Sequence, residues 1–192
     1  MGRYLKGTRD KGTIIKPDAS QNLEVFVDAD FARNWDPNEA ATDVDTARSR
    51  HGYVIMYAGC PVTWKSQLQT EIALSSTESE YTGLSYALRE AIPIIELLKE
   101  MKGNGYDIKS TQPKVHCRVF EDNSGALEIA KVHKYRPRTK HLNCRLHHFR
   151  DYVNRGEITI HPISTEVQCT DYLTKPLNEE LLKRHRLTVQ GW

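Results

Sequence analysis

An aspartate follows each of two short apolar segments of this chain. Asp28 and Asp30 come after residues 23–27 (LEVFV), and Asp122 comes after the alternating residues 115–120. A carboxylate at the exit of a buried strand is costly to desolvate, and it commonly persists because it binds something. Capping of the following turn is the structural alternative for Asp28 or Asp30, and the first segment alone leaves both explanations open.

The longest helical pattern of the chain carries a further acid on its apolar side. Ser75 and Glu78 have the spacing of a capping box, in which each side chain satisfies an unpaired amide of the first turn. Apolar residues then recur at three- and four-residue steps from Tyr81 to Leu98. At about 100° per residue, Glu80 falls on this apolar stripe and Glu78 on the opposite side. Glu80 is therefore a candidate ligand, whereas Glu78 has a local structural role.

The elements around these acids predict an α/β sheet. The predicted strands are residues 23–28, then 52–59 and 61–65 joined by a turn at Gly59-Cys60-Pro61, then 115–122 and 157–161. Because a strand, a helix and a strand follow one another, we expect parallel pairing between the first and fourth strands. Asp28 and Asp122 would then emerge at the carboxyl edge, where open α/β sheets bind their ligands.

The remaining segments are predicted from local signals. Residues 1–20 are basic with little helical periodicity and are interpreted as a linker or the end of a preceding domain. Pro93 predicts a kink or a break in the long helix, because it removes an amide hydrogen bond. Residues 165–168 resemble a second capping box that would start a helix containing Asp171, and residues 178–192 are expected to be partly helical.

Residues 131–150 form the densest positive region of the chain. A helix is predicted at residues 141–153, with His141, Cys144 and His148 on one face. A zinc site is not favoured, because there is neither a Cys-x-x-Cys pair nor a closing pair of ligands. The segment is either a solvated cationic helix or one that contacts phosphates.

The composition is that of a single globular domain. The chain has 192 residues, of which 39% are hydrophobic and 27% charged. No apolar run has membrane-spanning length and no secretory signal follows Met1, so we expect an intracellular protein. The four widely spaced cysteines favour reduced thiols over a disulfide framework. A net charge of +2 is too small to identify a polyanionic partner.

Five motifs, in order along nearly the whole chain, resemble the ribonuclease H domain of copia-type (Pseudoviridae) retrotransposon polyproteins. They are residues 27–32 (VDADFA), 73–81 (ALSSTESEY), 121–124 (EDNS), 138–141 (RTKH) and 171–177 (DYLTKPL). The resemblance implies an α/β fold of the ribonuclease H-like class, a five-stranded mixed sheet flanked by helices. It divides the chain into the tail of a reverse transcriptase connection segment (1–20), the ribonuclease H domain (21–176) and a C-terminal tail (177–192).

The same resemblance implies that the catalytic, metal-binding carboxylates are Asp28, Glu80, Asp122 and Asp171. The residue patterns also single out the first three, whereas Asp171 comes from the resemblance alone. The implied reaction is hydrolysis of the RNA strand of RNA·DNA hybrids during reverse transcription, with two Mg²⁺ ions for which Mn²⁺ is an expected substitute. Two such ions about 4 Å apart activate a water and stabilise the leaving oxyanion, and carboxylates from several elements suit Mg²⁺.

The implied partners are an RNA·DNA hybrid and the upstream reverse transcriptase domain of the same polyprotein, in a cytoplasmic virus-like particle or the nucleus. The expected nucleic-acid contacts are Ser75, Ser76, Thr77, Asn123, Arg138, Lys140, His141 and Arg145. Hydroxyls at the helix start would read the wide minor groove and the 2′-hydroxyls, and basic residues would hold phosphates. Capping alone is the structural alternative for Ser75.

Two positions depart from the family pattern. Arg33 stands where a small glycine usually follows Asp-Ala-Asp-x-Ala, and it either disturbs that turn or adds a phosphate contact. Residues 162–166 replace the histidine-bearing, glycine-rich loop of cellular ribonucleases H, so a proton-shuttling histidine is unassigned and His161 is only a weak candidate. Asp30 is expected to support the site without binding metal.

Two other functions compete with the nuclease. One is a catalytically inactive remnant that binds hybrids or RNA without cleaving them. The other is a ribonuclease H-like nuclease that acts on DNA, which the absence of an integrase-type acid spacing disfavours.

Overall fold

Five strands form one mixed sheet in the computed structural model, which describes residues 2–39, 42–108, 115–131 and 147–192. They are β1 (Leu23–Asp30), β2 (Arg50–Tyr57), β3 (Cys60–Leu68), β4 (Cys117–Glu121) and β5 (Ile158–Pro162). Their order across the sheet is β3-β2-β1-β4-β5. β2 pairs antiparallel with β1 and β3, whereas β4 pairs parallel with β1 and β5. The predicted five-stranded mixed sheet of the ribonuclease H-like class is confirmed.

The hairpin between β2 and β3 turns at Ala58 and Gly59, slightly earlier than predicted. Both residues have positive φ, 51° and 73°, as in the two-residue type I′ turns whose twist matches that of the strands. Cys60 and Pro61 therefore already belong to β3. Pro61 lies beside a register irregularity, where a residue without an amide hydrogen is tolerated in a strand.

Helices cover both faces of the sheet. Among the described residues they are α1 (Gly2–Gly7), α2 (Ser76–Gly103), α3 (Ser124–Lys131), α4 (Arg150–Asn154), α5 (Asp171–Thr174) and α6 (Glu179–Gln190). The capping of α2 differs in one bond from the predicted box. Ser75 Oγ accepts from the Glu78 amide (3.1 Å), whereas the Glu78 carboxylate accepts from the Leu74 amide (2.9 Å) instead of the Ser75 amide.

The main core lies between α2 and the sheet. Leu84 and Leu88 of α2 pack in one cluster with Val25 and Val27, the alternate residues of β1 that face them. α2 continues through Pro93, so a break there is excluded. Pro93 lies on the exposed side of α2, and the buried residues on both sides of it keep the helix on the sheet despite the lost hydrogen bond.

The C-terminal part of the chain covers the opposite face of the sheet. Val54 and Met56 of β2 pack there with Cys169 and with Val189 of α6. The expected helical character of residues 178–192 is confirmed by α6, whose first turn is capped by the Asn178 side chain. The parallel pairing of β1 with β4 leaves the carboxyl ends of both strands at one edge, between these two layers.

Residues 2–7 form the short helix α1, within the segment interpreted as a linker or the end of a preceding domain. One local prediction is wrong. The predicted helix start at 165–168 is absent, because the Thr165 hydroxyl donates to Asp122 Oδ2 (2.9 Å) and the helix begins only at Asp171. A contact distant in sequence has replaced a local cap.

Part of the basic segment is described. A 3₁₀ turn (His147–Phe149) and α4 occupy the end of the helix predicted at 141–153, and the rest of that helix, with His141 and Cys144, lies outside the described residues. Cys60, Cys117 and Cys169 are buried and unpaired. No helix among the described residues is both long and apolar enough to span a membrane.

Candidate active site

Three aspartates meet at the carboxyl edge of the sheet. One carboxylate oxygen from each of Asp28, Asp122 and Asp171 lies within 4.8 Å of the other two, and we call this group the aspartate triad. Asp28 and Asp171 are buried, and Asp122 is half-buried. The three belong to β1, to the loop after β4 and to the first residue of α5, so only the folded chain assembles them.

Two glutamates form a second group with the same Asp122. Glu80, Glu121 and Asp122 also each place a carboxylate oxygen within 4.8 Å of the others, and we call them the glutamate triad. Asp122 therefore belongs to both triads. Glu80 comes from the sheet-facing side of α2, and Glu121 is the last residue of β4.

The hydroxyl groups of two threonines orient the aspartate triad. Thr174 Oγ1, at the end of α5, donates to Asp28 Oδ2. Thr165 Oγ1 donates to Asp122 Oδ2 at 2.9 Å. Because each hydroxyl comes from the segment around Asp171, the same contacts fix this segment against β1 and β4.

A lysine supplies positive charge to the aspartate triad. Lys175 Nζ lies 3.0 Å from Asp171 Oδ1 and 3.5 Å from Asp28 Oδ1. Burial lowers the pKa of Lys175, but the carboxylates of Asp28 and Asp171 outweigh this effect and raise it overall. Lys175 is therefore a permanent cation between the two acids.

The glutamate triad has less compensation than the aspartate triad. Glu121 Oε1 accepts from the Asn123 amide at 3.0 Å. Glu80 Oε2 and Glu121 Oε2 are both buried without a hydrogen-bond partner among the described residues. Leaving a buried polar group unpaired costs about 1–3 kcal/mol and more when it is charged, so these two oxygens are expected to bind a proton or a cation.

The pKa values of the glutamates reflect this environment. Burial raises the pKa of Glu80 far above its ordinary value, and the charges of Glu121, Asp28 and Asp122 raise it further. Burial also raises the pKa of Glu121 to about 8, against the Asn123 hydrogen bond that lowers it. Both glutamates therefore favour the protonated form until a cation compensates them.

Asp171 and Asp122, of the aspartate triad, also have raised pKa values. Burial, together with the charge of Asp28, raises the pKa of Asp171 to about 7, although Lys175 opposes the shift. Burial raises the pKa of Asp122, and the Thr165 hydrogen bond moderates the effect. Clustered carboxylates with raised pKa values are typical of catalytic and metal sites.

The donor set fits a hard divalent cation. Both triads offer only carboxylate oxygens, the ligands that Mg²⁺ and Mn²⁺ prefer, and softer metals would favour sulfur or nitrogen ligands. The unpaired oxygens of Glu80 and Glu121 are the groups that such a cation would satisfy.

Of the predicted substrate contacts at the start of α2, Thr77 contacts the residue that follows Asp122. Thr77 Oγ1 contacts Asn123 Oδ1 at 3.5 Å, and Asn123 Oδ1 in turn accepts from the Ala126 amide at the start of α3. Ser75 is engaged in capping, and Ser76 is exposed. Arg138, Lys140, His141 and Arg145 lie outside the described residues.

A glycine permits the close contact between α2 and α3. A Cβ atom at Gly125 would lie 2.6 Å from Thr77 Oγ1 and 3.2 Å from Asn123 Oδ1. No side chain fits there without displacing one of these two predicted contacts. The Asn123-Ser124-Gly125 sequence therefore brings the starts of α2 and α3 together beside the carboxylates.

The local structure accounts for the arginine at position 33 and gives His161 a hydrogen-bond partner on its own strand. The turn after β1 has its positive φ, 43°, at Ala32 and not at Arg33, so Arg33 does not need a glycine's conformational freedom. His161 lies on β5, where its Nε2 shares a hydrogen bond of 2.7 Å with Thr159. Asp30 forms an ion pair with Arg33 at 3.5 Å and belongs to neither triad.

Two site residues are missing from the prediction made from the sequence. Glu121 continues the alternation of Val115, Cys117 and Val119 towards the core, and this period of two was a usable signal. Lys175 lies one helical turn after Asp171, but its contact with Asp28 depends on the tertiary fold. No sequence pattern identifies the second contact.

Comparisons with known proteins point to retrotransposon polyproteins. The chain is 32% identical over 176 residues to the Retrovirus-related Pol polyprotein from transposon RE2 of Arabidopsis thaliana. It is 30% identical over 173 residues to the corresponding polyprotein from transposon TNT 1-94 of Nicotiana tabacum. These matches cover 92% and 90% of this chain, which spans only 11% and 12% of the two polyproteins.

Other comparisons are less informative. No protein-family model matches the chain. Among solved structures, LC11-RNase H1 isolated from compost is 15% identical with a TM-score of 0.48, covering 80% of this chain and 92% of that one. The fold rests on the strand order and pairing described above, not on this match.

Proposed function

This chain belongs to the copia-type retrotransposon Pol polyproteins, as a segment with a ribonuclease H-like fold, and from this premise we propose that it is a metal-dependent endonuclease. Its substrate is the RNA strand of RNA·DNA hybrids made during reverse transcription. The observation that carries the proposal is the pair of carboxylate triads that share Asp122 at the carboxyl edge of the sheet.

Each triad would hold one divalent ion, with Asp122 contributing to both. Bound there, a pair of Mg²⁺ ions supplies a nucleophilic water and stabilises the leaving oxyanion. The ligands are Asp28, Asp122 and Asp171 on one side and Glu80, Glu121 and Asp122 on the other. Four of these five acids are the predicted catalytic set, and Glu121 is the addition.

The surrounding residues prepare the acids for this role. The hydroxyls of Thr174 and Thr165 fix one oxygen each of Asp28 and Asp122, so the other oxygens keep their orientation. Lys175 keeps Asp28 and Asp171 together against their repulsion. The glutamates are deeply buried, which strengthens their attraction for a cation in a medium of low dielectric constant.

The substrate would lie across the starts of α2 and α3. The hydroxyls of Ser75, Ser76 and Thr77 and the amide of Asn123 are groups that can bond the 2′-hydroxyls in the minor groove of a hybrid. The basic residues of 131–150, including Arg138, Lys140, His141 and Arg145, would hold phosphates of the DNA strand. The reverse transcriptase of the same polyprotein would deliver the hybrid.

A cleavage assay tests this function. End-labelled RNA·DNA hybrid, double-stranded RNA and double-stranded DNA are incubated with Mg²⁺ and either the parent protein or Asp28→Asn. Asp151→Asn, an exposed substitution on α4, is the matched control. We expect cleavage of the RNA in the hybrid only, lost in Asp28→Asn and kept in Asp151→Asn.

The competing functions give different results in the same assay. Binding of the hybrid without cleavage by the parent would identify an inactive remnant. Cleavage of double-stranded DNA would identify a different ribonuclease H-like nuclease. The retention of all four predicted acids, and their assembly with Glu121, is the reason for preferring the active enzyme.

A further inference from the structure

Three arginines meet in a cleft beside the carboxylates. The cleft has a volume of about 180 Å³, and its lining includes Arg33, Arg48, Arg50, Asn34, Asp30 and Thr174. The lining thus contains three arginines and one acid, which makes the cleft electropositive next to an acidic site. We call it the arginine cleft.

The arginine cleft adjoins the aspartate triad directly. Thr174, which lines the cleft, donates its hydroxyl hydrogen bond to Asp28. Asp30 is two residues from Asp28 on β1, hence on the same face of the strand and roughly 7 Å away along it. A nucleic-acid strand carries one phosphate per ~3.4 Å of helix axis, so the cleft is one or two phosphates from the carboxylates.

The sheet holds the arginines in place. Arg50 pairs with Asp30 in the β1–β2 register, and its Nη1 donates to Ser66 Oγ at 3.3 Å. Ser66 Oγ in turn donates to the backbone carbonyl of Leu173, on α5, at 2.5 Å. The cleft wall is therefore fastened to the same short helix that carries Asp171.

The turn after β1 presents Arg33 at the mouth of the cleft. The Ala32 amide donates to Ser49 Oγ at 3.2 Å, with Ala32 at a positive φ of 43°. A non-glycine residue in this conformation carries strain that the surrounding contacts must offset. Arg33 follows with 48% of its side chain exposed and a long ion pair to Asp30.

The arginines keep donors for an anion. Arg48 uses Nη1 for Asp45 at 2.7 Å, while its buried Nε has no hydrogen-bond partner among the described residues. A guanidinium group has five N–H donors in a planar fork that matches phosphate oxygens. One or two of these donors are engaged on each arginine by the contacts described above.

We propose that the arginine cleft binds a backbone phosphate of the RNA strand, next to the phosphate held at the carboxylates. The inference rests on the proposed function for the identity of the strand. An anchored neighbouring phosphate would fix the register of the strand, so that the scissile phosphate meets the two triads.

The salt dependence of hybrid binding tests the cleft without cleavage. A fluorescent hybrid is titrated in the presence of EDTA, over a range of salt concentrations, with the parent and with Arg33→Ala. Because each lost phosphate contact reduces the slope of log K against log[salt] by about 0.9, we expect a loss of about one.

Arg155→Ala is the matched control. Arg155 has nearly the same exposure as Arg33 (46%) and also forms ion pairs, but it precedes β5 at the opposite edge of the sheet. The parent slope should persist in this variant. An unchanged slope in Arg33→Ala, or an equal loss in Arg155→Ala, overturns the proposal.

Single neutral methylphosphonate linkages identify the strand. They are placed one at a time along the RNA or the DNA strand, and the binding loss is compared between the parent and Arg33→Ala. We expect a neutral linkage at one position of the RNA strand to weaken hybrid binding by the parent but not by Arg33→Ala. This difference is the coupling that a double-mutant cycle measures. Coupling at a DNA-strand position, or at none, overturns the proposal.

This outcome is independent of cleavage. If the parent binds hybrid with the expected coupling but never cleaves it, phosphate binding by the arginine cleft is supported and the proposed nuclease activity is refuted. If the parent cleaves hybrid and Arg33→Ala binds it with the parent slope, the nuclease activity is supported and phosphate binding by the cleft is refuted.

Discussion

The two triads of the site share Asp122 but differ in how their charge is compensated. Lys175 and the hydroxyls of Thr174 and Thr165 serve the aspartate triad. The glutamate triad has no ion pair among the described residues, and two of its buried oxygens have no hydrogen-bond partner there. The fold therefore supplies a cation and two hydroxyl donors to the aspartate triad, whereas Glu80 and Glu121 depend on a bound proton or cation for compensation.

The shared acid should have the largest effect on activity. Asp122→Asn removes a ligand from both triads, and we expect cleavage of the hybrid to fall by about 10³-fold or more, on the order of 4 kcal/mol in the barrier. Single-turnover rates measure it, with Asp151→Asn as the control. A loss of tenfold or less would contradict the shared role of Asp122.

The glutamate triad should respond to removal of one charge in two opposite ways. Glu121→Gln should slow cleavage, and by less than Asp122→Asn, because it removes a ligand charge from one triad and not from both. It should also raise the Tm of the metal-free protein, because a buried acid with a raised pKa is replaced by a neutral group. Single-turnover rates measure the loss of activity, and thermal melts with and without Mg²⁺ measure the change in Tm.

A purely structural Glu121 would behave differently in those melts. If Glu121→Gln keeps the full Mg²⁺-dependent rise in Tm of the parent, Glu121 does not contribute to cation binding. The glutamate triad would then have only Glu80 and Asp122 as candidate ligands.

The aspartate triad should depend on its lysine. Lys175→Met leaves Asp28 and Asp171 without their cation, and the loss of one partner of a buried ion pair is strongly destabilising. Because 23% of the Lys175 side chain is exposed, we discount the effect to roughly 1–3 kcal/mol. Urea denaturation of the metal-free protein measures it, and Lys175→Arg, which keeps the charge, should recover most of the stability.

The pH dependence of stability should separate the metal-free from the metal-bound protein. Asp171 and Glu121 have pKa values raised to about 7 and about 8, whereas in the unfolded chain they titrate near 4. Their contribution to stability is thus fully present below pH 4 and is lost as the pH rises through 7–8. At about 1.4 kcal/mol per pH unit and group, we expect a decrease of several kcal/mol, and a falling Tm, between pH 5 and pH 8.5.

Saturating Mg²⁺ should reduce that decrease, because bound carboxylates are ionised throughout the range. Tm values measured in parallel with EDTA and with Mg²⁺ make the comparison. Equal slopes against pH in the two conditions would show that these acids do not bind the metal.

Much of the fold was readable from local patterns, because burial imposes them. The apolar run of β1 and the alternation of β4 reflect burial, and they predict the parallel pairing that puts Asp28 and Asp122 at one edge of the sheet. The stripe of α2 predicts only that Glu80 lies on the core-facing side of the helix. Asp171 was beyond such reasoning, since the short helix α5 has too few residues to show a period. Its position came from the family resemblance.

The errors have a common physical origin in contacts distant in sequence. Thr165 resembled a helix cap, but its hydroxyl bonds Asp122, 43 residues away. Lys175 reaches Asp28 across 147 residues, and the arginine cleft combines Arg33 with Arg48 and Arg50 through the pairing of β1 and β2. Contacts of this kind depend on the tertiary fold, so the sequence alone does not show which residues are partners.

The most direct test of the account is anomalous diffraction from crystals of this protein soaked with Mn²⁺. We expect two manganese peaks flanking Asp122, one contacted by Asp28 and Asp171 and the other by Glu80 and Glu121. A single peak away from Asp122, or no peak at either triad at saturating Mn²⁺, would contradict the claim that these five acids form one two-ion centre.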